Sequence, residues 1–162
     1  MWSWICAGRA CRRTGPRECD VPYLLDTNVL SELRKGVRCD ARVSAWAASV
    51  RGERHCLSVL SLGEIRKGIE RLRRHDPERC AVFEEWLAKL MADYDTDIIP
   101  ITDQIADRWG RLEAERPLPV IDGLLAATAR ELGLTMATRN VKDFAGTGIE
   151  VVNPFEWEAE RA

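Results

Sequence analysis

Apolar residues in this chain fall into short unbroken runs, separated by longer stretches in which they recur with a helical period. Tyr23-Leu24-Leu25 is one such run, ending at Asp26, and Thr27-Asn28 followed by Val29, Leu30 and Leu33 reads as buried strand, capped turn and helix. The helix is expected to stop near Gly36. Between Asp40 and Arg51, Val43, Trp46, Ala47 and Val50 recur at i, i+3, i+4 and i+7, which is one face of a second helix. His55-Cys56-Leu57-Ser58-Val59 predicts another strand, leading into a helix over 61–74 with Leu62, Ile65, Ile69 and Leu72 as its stripe. Pro77 opens a further helix carrying Val82, Phe83, Trp86, Leu87 and Leu90.

Ile98-Ile99-Pro100-Ile101 is a short strand whose proline places it at a strand end or sheet edge. Thr102 caps the next helix, with Ile105, Trp109 and Leu112 facing inward, and Arg116-Pro117-Leu118-Pro119 is a loop. Val120 to Leu132 forms a helix that Gly133 ends. Leu134 to Thr138 reads as a strand, Asn140 to Ala145 as a turn or short helix, and Glu150-Val151-Val152 as the last strand. Strands alternating with helices predict an α/β fold, a central parallel sheet flanked by helices on both faces, with functional groups at the carboxyl ends of the strands. The domain is expected over 21–157, preceded by an irregular leader (1–20) and followed by a tail (158–162).

Composition narrows the function classes. At 162 residues and 46% apolar content the chain suits one domain with a single substantial core. The net charge of -2 gives no global attraction to a polyanion, so any nucleic-acid contact must come from basic residues gathered locally. Six cysteines (Cys6, Cys11, Cys19, Cys39, Cys56, Cys80) show no C-x-x-C pair, and neither His55 nor His75 has a cysteine at zinc-finger spacing, so reduced thiols are expected. No signal-like run and no apolar stretch of about 18 residues is present, which predicts a cytoplasmic protein with no membrane association. Both histidines read as surface residues, no nucleophilic triad can be assembled around them, and there is no phosphate-cradling GxxxxGK[ST] loop.

The carboxylates remain. Asp26 stands between a strand and a helix, where it can cap the helix, bind a ligand at the mouth of the sheet, or do both. Glu64 falls roughly 120° from the centre of its helix stripe, on the side of Lys67, Arg71 and Arg74. On periodicity alone it belongs to a solvated face, paired with Lys67. Asp122 lies at a helix start, where it can serve the N-terminus or, bordering Ile121, Leu124 and Leu125, hold a metal. Asp93, Asp95 and Asp97 begin like a calcium loop, but Ile98 and Gln104 stand where glycine and glutamate are required, so a solvated turn is expected. Asp143 reads locally as a turn residue.

Four ordered segments carry a family resemblance: Leu24-Leu25-Asp26-Thr27-Asn28-Val29-Leu30-Ser31-Glu32, Leu57-Ser58-Val59-Leu60-Ser61-Leu62-Gly63-Glu64-Ile65, Ile121-Asp122-Gly123-Leu124-Leu125-Ala126-Ala127-Thr128-Ala129, and Ala137-Thr138-Arg139-Asn140 with Asn153-Pro154. From Tyr23 to Phe155 the chain resembles PIN-domain ribonucleases, the VapC-type toxins of type II toxin-antitoxin systems. That resemblance implies a PIN-like parallel-sheet fold and a magnesium- or manganese-dependent endoribonuclease, commonly a homodimer, neutralised by a VapB-type antitoxin. It implies that Asp26, Glu64 and Asp122 are the catalytic and metal-binding acids. The family's fourth acid position holds Asn140 here, which leaves Asn140 and Asp143 as alternatives for completing the site. Thr27 and Thr138 are expected to hydrogen-bond to the acids, and RNA to cross Lys67, Arg71 and Arg74, with Arg139 and Lys142 as further contacts. Carboxylates about 5 Å apart repel by roughly 3 kcal/mol per pair at an effective dielectric near 20, so a converging cluster invites a hard divalent cation. Loss of the fourth acid leaves a second reading open: a catalytically weak or inactive PIN-fold module that binds RNA or protein.

Overall fold

The computed structural model describes residues 22–158. Its strands are β1 (Tyr23–Leu25), β2 (His55–Ser58), β3 (Ile98–Ile99), β4 (Thr135–Ala137) and β5 (Val151–Val152). They form one sheet in the order β3-β2-β1-β4-β5, with every neighbouring pair parallel. The helices are α1 (Thr27–Leu33), α2 (Ala41–Ser49), α3 (Val59–Arg73), α4 (Pro77–Asp93), α5 (Asp103–Glu115), α6 (Val120–Leu132) and α7 (Val141–Phe144).

The two-residue period of the strands sorts the core into two layers. Leu24 is in register with Cys56 and Met136, and these three pack with Leu112 of α5, Leu125, Ala126 and Ala129 of α6, and Phe144 of α7. Leu25, Leu57 and Ala137 face the other way, onto Val29, Trp46, Ile65, Ile69, Leu87 and Leu90 of α1 to α4. A parallel sheet must be covered on both faces, which is why its strands are apolar runs without alternation. Truncating a wholly buried residue such as Leu24 to alanine would cost about 2–5 kcal/mol.

Capping sets the helix boundaries. Asp40 accepts from the Arg42 and Val43 amides, Asp76 from Arg79 and Thr102 from Ile105. Gly133 ends α6 in the left-handed region at φ 62°, and Gly36, at φ 59°, opens a 3-10 turn (Gly36–Arg38) after α1. The helix expected over 61–74 starts earlier, at Val59, because the Ser58 hydroxyl accepts from the Leu60 amide and stops the strand there.

Two further expectations are corrected. On α4, Val82 is 57% exposed while Cys80 is buried, so the cysteine occupies the core position. His55 is not a surface residue: it stacks on Tyr23 at 6.0 Å between centroids and meets Trp46 edge-on at 6.3 Å. Burial accordingly holds its pKa below the usual imidazole value. Asp95–Asp97 is a 3-10 turn, as expected for a solvated turn, with Asp97 paired to Arg54 at 2.7 Å.

Cys39, Cys56 and Cys80 are free thiols. Cys6, Cys11 and Cys19 lie outside the described residues, as do the leader over 1–20 and most of the tail over 158–162. Among the described residues no helix is long and apolar enough to cross a membrane.

Candidate active site

Strand β1 is the centre of the sheet: the chain runs outward through β2 and β3 on one side, then crosses back to place β4 and β5 on the other. That reversal of strand order opens a crevice at the carboxyl ends, where ligands bind in open α/β sheets. Asp26 is the first residue beyond β1 and is 8% exposed. It stands at the N-cap of α1 and accepts from the Thr27 amide at 2.6 Å. Its other carboxylate oxygen accepts from Thr138 Oγ1 and Asn28 Nδ2, each at 2.5 Å. Capping and presentation at the sheet mouth therefore coexist.

Glu64, on the second turn of α3, accepts from Thr27 Oγ1 at 2.8 Å. The ion pair with Lys67 expected from periodicity is not formed among the described residues. Asp122 sits in the first turn of α6, where the cap position is Pro119, and among the described residues no backbone amide bonds to its side chain. Asp143 lies in the first turn of α7.

These four acids share one electrostatic neighbourhood. Burial, opposed in part by the bonds from Thr138, Thr27 and Asn28, raises the Asp26 pKa, and the charge of Glu64 adds to the rise. Asp122 is raised by burial first, then by repulsion from Asp143, Asp26 and Glu64, in that order. Among the described residues no arginine, lysine or histidine forms an ion pair with any of the four. As they stand, no three His, Cys, Asp or Glu side chains among the described residues converge closely enough to hold an ion together. The donor set still fits a hard divalent cation: oxygen ligands, uncompensated negative charge, and partial burial of Asp26, Glu64 and Asp122.

Asn140, like Asp143, lies at the surface. It is exposed, and its backbone amide, not its side chain, donates to Thr138 Oγ1 at 3.0 Å. Asn28, which sequence reasoning did not single out, binds Asp26, donates to Thr138 Oγ1 at 3.1 Å and accepts from the Arg139 amide at 3.2 Å. Its position two residues after Asp26, in a strand-to-helix turn, was the available signal.

On α3, Arg66 and Arg73 are tied to Glu70 and Glu84. Lys67, Arg71 and Arg74 are exposed and have no ion-pair partner among the described residues; Lys142, on α7, is likewise exposed and unpaired.

The family profile described as "PIN domain" matches residues 23–149. The chain belongs to the PIN-domain family. Toxin FitB from Neisseria gonorrhoeae is 28% identical over 137 residues, covering 82% of this chain and 97% of FitB. The crystal structure of FitAcB from that organism superimposes with a TM-score of 0.74 at 29% identity, over 83% of this chain and 99% of the other. VapC ribonuclease Y4jK from Sinorhizobium fredii is 29% identical over 139 residues, covering 82% of this chain and 97% of the relative. A toxin-antitoxin complex from Klebsiella pneumoniae aligns at a TM-score of 0.55 and 29% identity, over 83% of this chain and 98% of the other. The PIN-like parallel sheet is thus the architecture of this chain, and VapC-type toxins and ribonucleases are among its relatives.

Proposed function

We propose that this PIN domain is a magnesium- or manganese-dependent endoribonuclease, the toxin of a toxin-antitoxin pair, with Asp26, Glu64, Asp122 and Asp143 as its acids. The observation that carries this reading is that Asp26, at the mouth of the sheet, Glu64, Asp122 and Asp143 act on one another through their charges, with no basic ion-pair partner among the described residues. Asp143 is preferred to Asn140 as the fourth member, because its charge is the largest electrostatic influence on Asp122.

A bound divalent ion would supply a nucleophile from water and stabilise charge on the phosphodiester oxygens. The protein's own part is positioning. Thr138, Asn28 and the Thr27 amide fix the Asp26 carboxylate, and Thr27 Oγ1 turns Glu64 toward it. Lys67, Arg71 and Arg74 on α3 and Lys142 on α7 are exposed and without an ion-pair partner among the described residues, and can neutralise an RNA backbone. Neutralisation by a VapB-type antitoxin is supported by the toxin-antitoxin complex among the structural relatives. Assembly as a homodimer is part of the same proposal.

Purified chain, free of antitoxin, incubated with total RNA is expected to cut it with magnesium or manganese and to stop on chelation. Cleavage that survives chelation would overturn the mechanism. Tight RNA binding without cleavage under any divalent ion would favour the inactive binding module instead.

A further inference from the structure

The turn after β4 holds a cation in an unusual setting. The Arg139 amide donates to Asn28 Oδ1 at 3.2 Å, and Asn28 Nδ2 donates to Asp26 Oδ2, so two hydrogen bonds link the Arg139 backbone to the central acid. The guanidinium carbon of Arg139 lies 3.7 Å from the centroid of the Phe155 ring, the spacing of flat stacking. Phe155 is itself held in place. Its amide donates to Asn153 Oδ1 at 3.1 Å, and its carbonyl accepts from Arg42 Nη1 at 3.5 Å.

Nothing else among the described residues occupies the Arg139 guanidinium. It has no ion pair and no side-chain hydrogen bond there. Glu32, whose pKa is lowered chiefly by the bond from Lys35 and least by the charge of Arg139, is bonded to Lys35 at 2.7 Å and to the Asp40 amide at 3.0 Å. Arg139 is exposed, so the face turned away from the ring is open. Arg34 offers a contrast: it also lies over rings, those of Phe83 and Trp86, but its Nε is buried without a partner.

A flat, exposed cation backed by an aromatic ring, with its donors unused, suits a second planar group. Nucleobases stack on such arginine planes when they are unpaired, whereas the bases of a duplex are covered by their neighbours. We infer that Arg139, held flat by Phe155, is a stacking platform for one unpaired base of RNA beside the phosphate to be cut. This rests on the ribonuclease reading of the same site.

The test is binding in chelator, where no cleavage occurs. Short single-stranded RNAs carrying 2-aminopurine at each position in turn are compared with the same RNAs in duplex. The wild type is expected to quench the probe at one position. Arg139→Lys keeps the charge and the backbone bond to Asn28 but removes the plane. It should abolish that quenching and weaken single-strand binding roughly tenfold, within the range for one lost base stack. Duplex binding should be unchanged. Phe155→Leu should act in the same direction, with its fold verified by circular dichroism. Equal losses on both strand forms, wild-type binding by Arg139→Lys, or no quenching at any position would overturn the platform. Quenching by a protein that cuts no RNA in magnesium would overturn the ribonuclease reading and leave the platform standing.

Discussion

Thr138 and Asp26, separated by 112 residues in sequence, are joined by a 2.5 Å hydrogen bond that ties the turn after β4 to the turn after β1. The same hydroxyl accepts from Asn28 Nδ2 and the Asn140 amide, so one oxygen organises three partners. Thr138→Val keeps the shape and takes one hydrogen bond from each of those partners, while Asp26 retains those from Asn28 and Thr27, at a cost of about 1–3 kcal/mol. RNA cleavage should fall by at least tenfold, because Asp26 is less firmly held. Thr138→Ser should restore most of both losses. Urea titration and cleavage rates of the two variants measure this.

Asp26→Asn should be inactive and less stable in chelator by about 1 kcal/mol. Every group around Asp26, the Thr27 amide, Asn28 Nδ2 and Thr138 Oγ1, donates to it, so an amide nitrogen must face a donor. A variant as stable as wild type would mean that relief of repulsion from Glu64 outweighs the lost bond. Denaturant unfolding in chelator decides.

Gly123 follows Asp122 and lies against α5. A Cβ there would stand 2.9 Å from Trp109 Nε1 and 3.0 Å from Trp109 Cδ1. Gly123→Ala should therefore push the indole aside or part the α5–α6 pair, costing about 1–3 kcal/mol. A lowered melting temperature with a shifted tryptophan emission is the expected result.

His55 makes stability depend on pH with a definite sign. Its folded pKa lies below the unfolded value of about 6.5, so the unfolded chain binds the proton more readily. Its contribution is complete above about pH 6.5 and is lost as pH falls from there toward the folded pKa. His55→Phe, which retains the ring between Tyr23 and Trp46, should remove this part of the acid sensitivity. Melting curves of both proteins from neutral to mildly acidic pH should diverge below about 6.5.

Some of this architecture is legible in the sequence and some is not, for physical reasons. The bounds of α6 follow from local chemistry, since Gly133 supplies the left-handed residue that ends it. The β2–α3 junction is less clear, because Val59 and Leu60 continue an apolar run and only the Ser58 cap marks the change. His55 and Cys80 are misread because polarity and size say little about what a neighbouring strand or helix will cover. Asp26 follows from the strand that ends before it. Glu64 does not follow from periodicity: its bond to Thr27 crosses 37 residues, and a helical wheel contains no information about that distance. The choice between Asn140 and Asp143 likewise depends on how α7 lies against α6.

The acids at the sheet mouth are proposed to form a cation site and not a structural network. Asp122 tests it most directly, since its side chain makes no hydrogen bond or ion pair among the described residues and its pKa is raised by burial and by three neighbouring carboxylates. In chelator, Asp122→Asn should melt above the wild type, because a repelled charge is removed and no bond is lost. In magnesium at a hundred times its dissociation constant the wild type should gain about 2.7 kcal/mol, and the variant far less, so that the order reverses. A variant that melts below the wild type in chelator, or gains as much from magnesium, would mean that Asp122 belongs to no cation site.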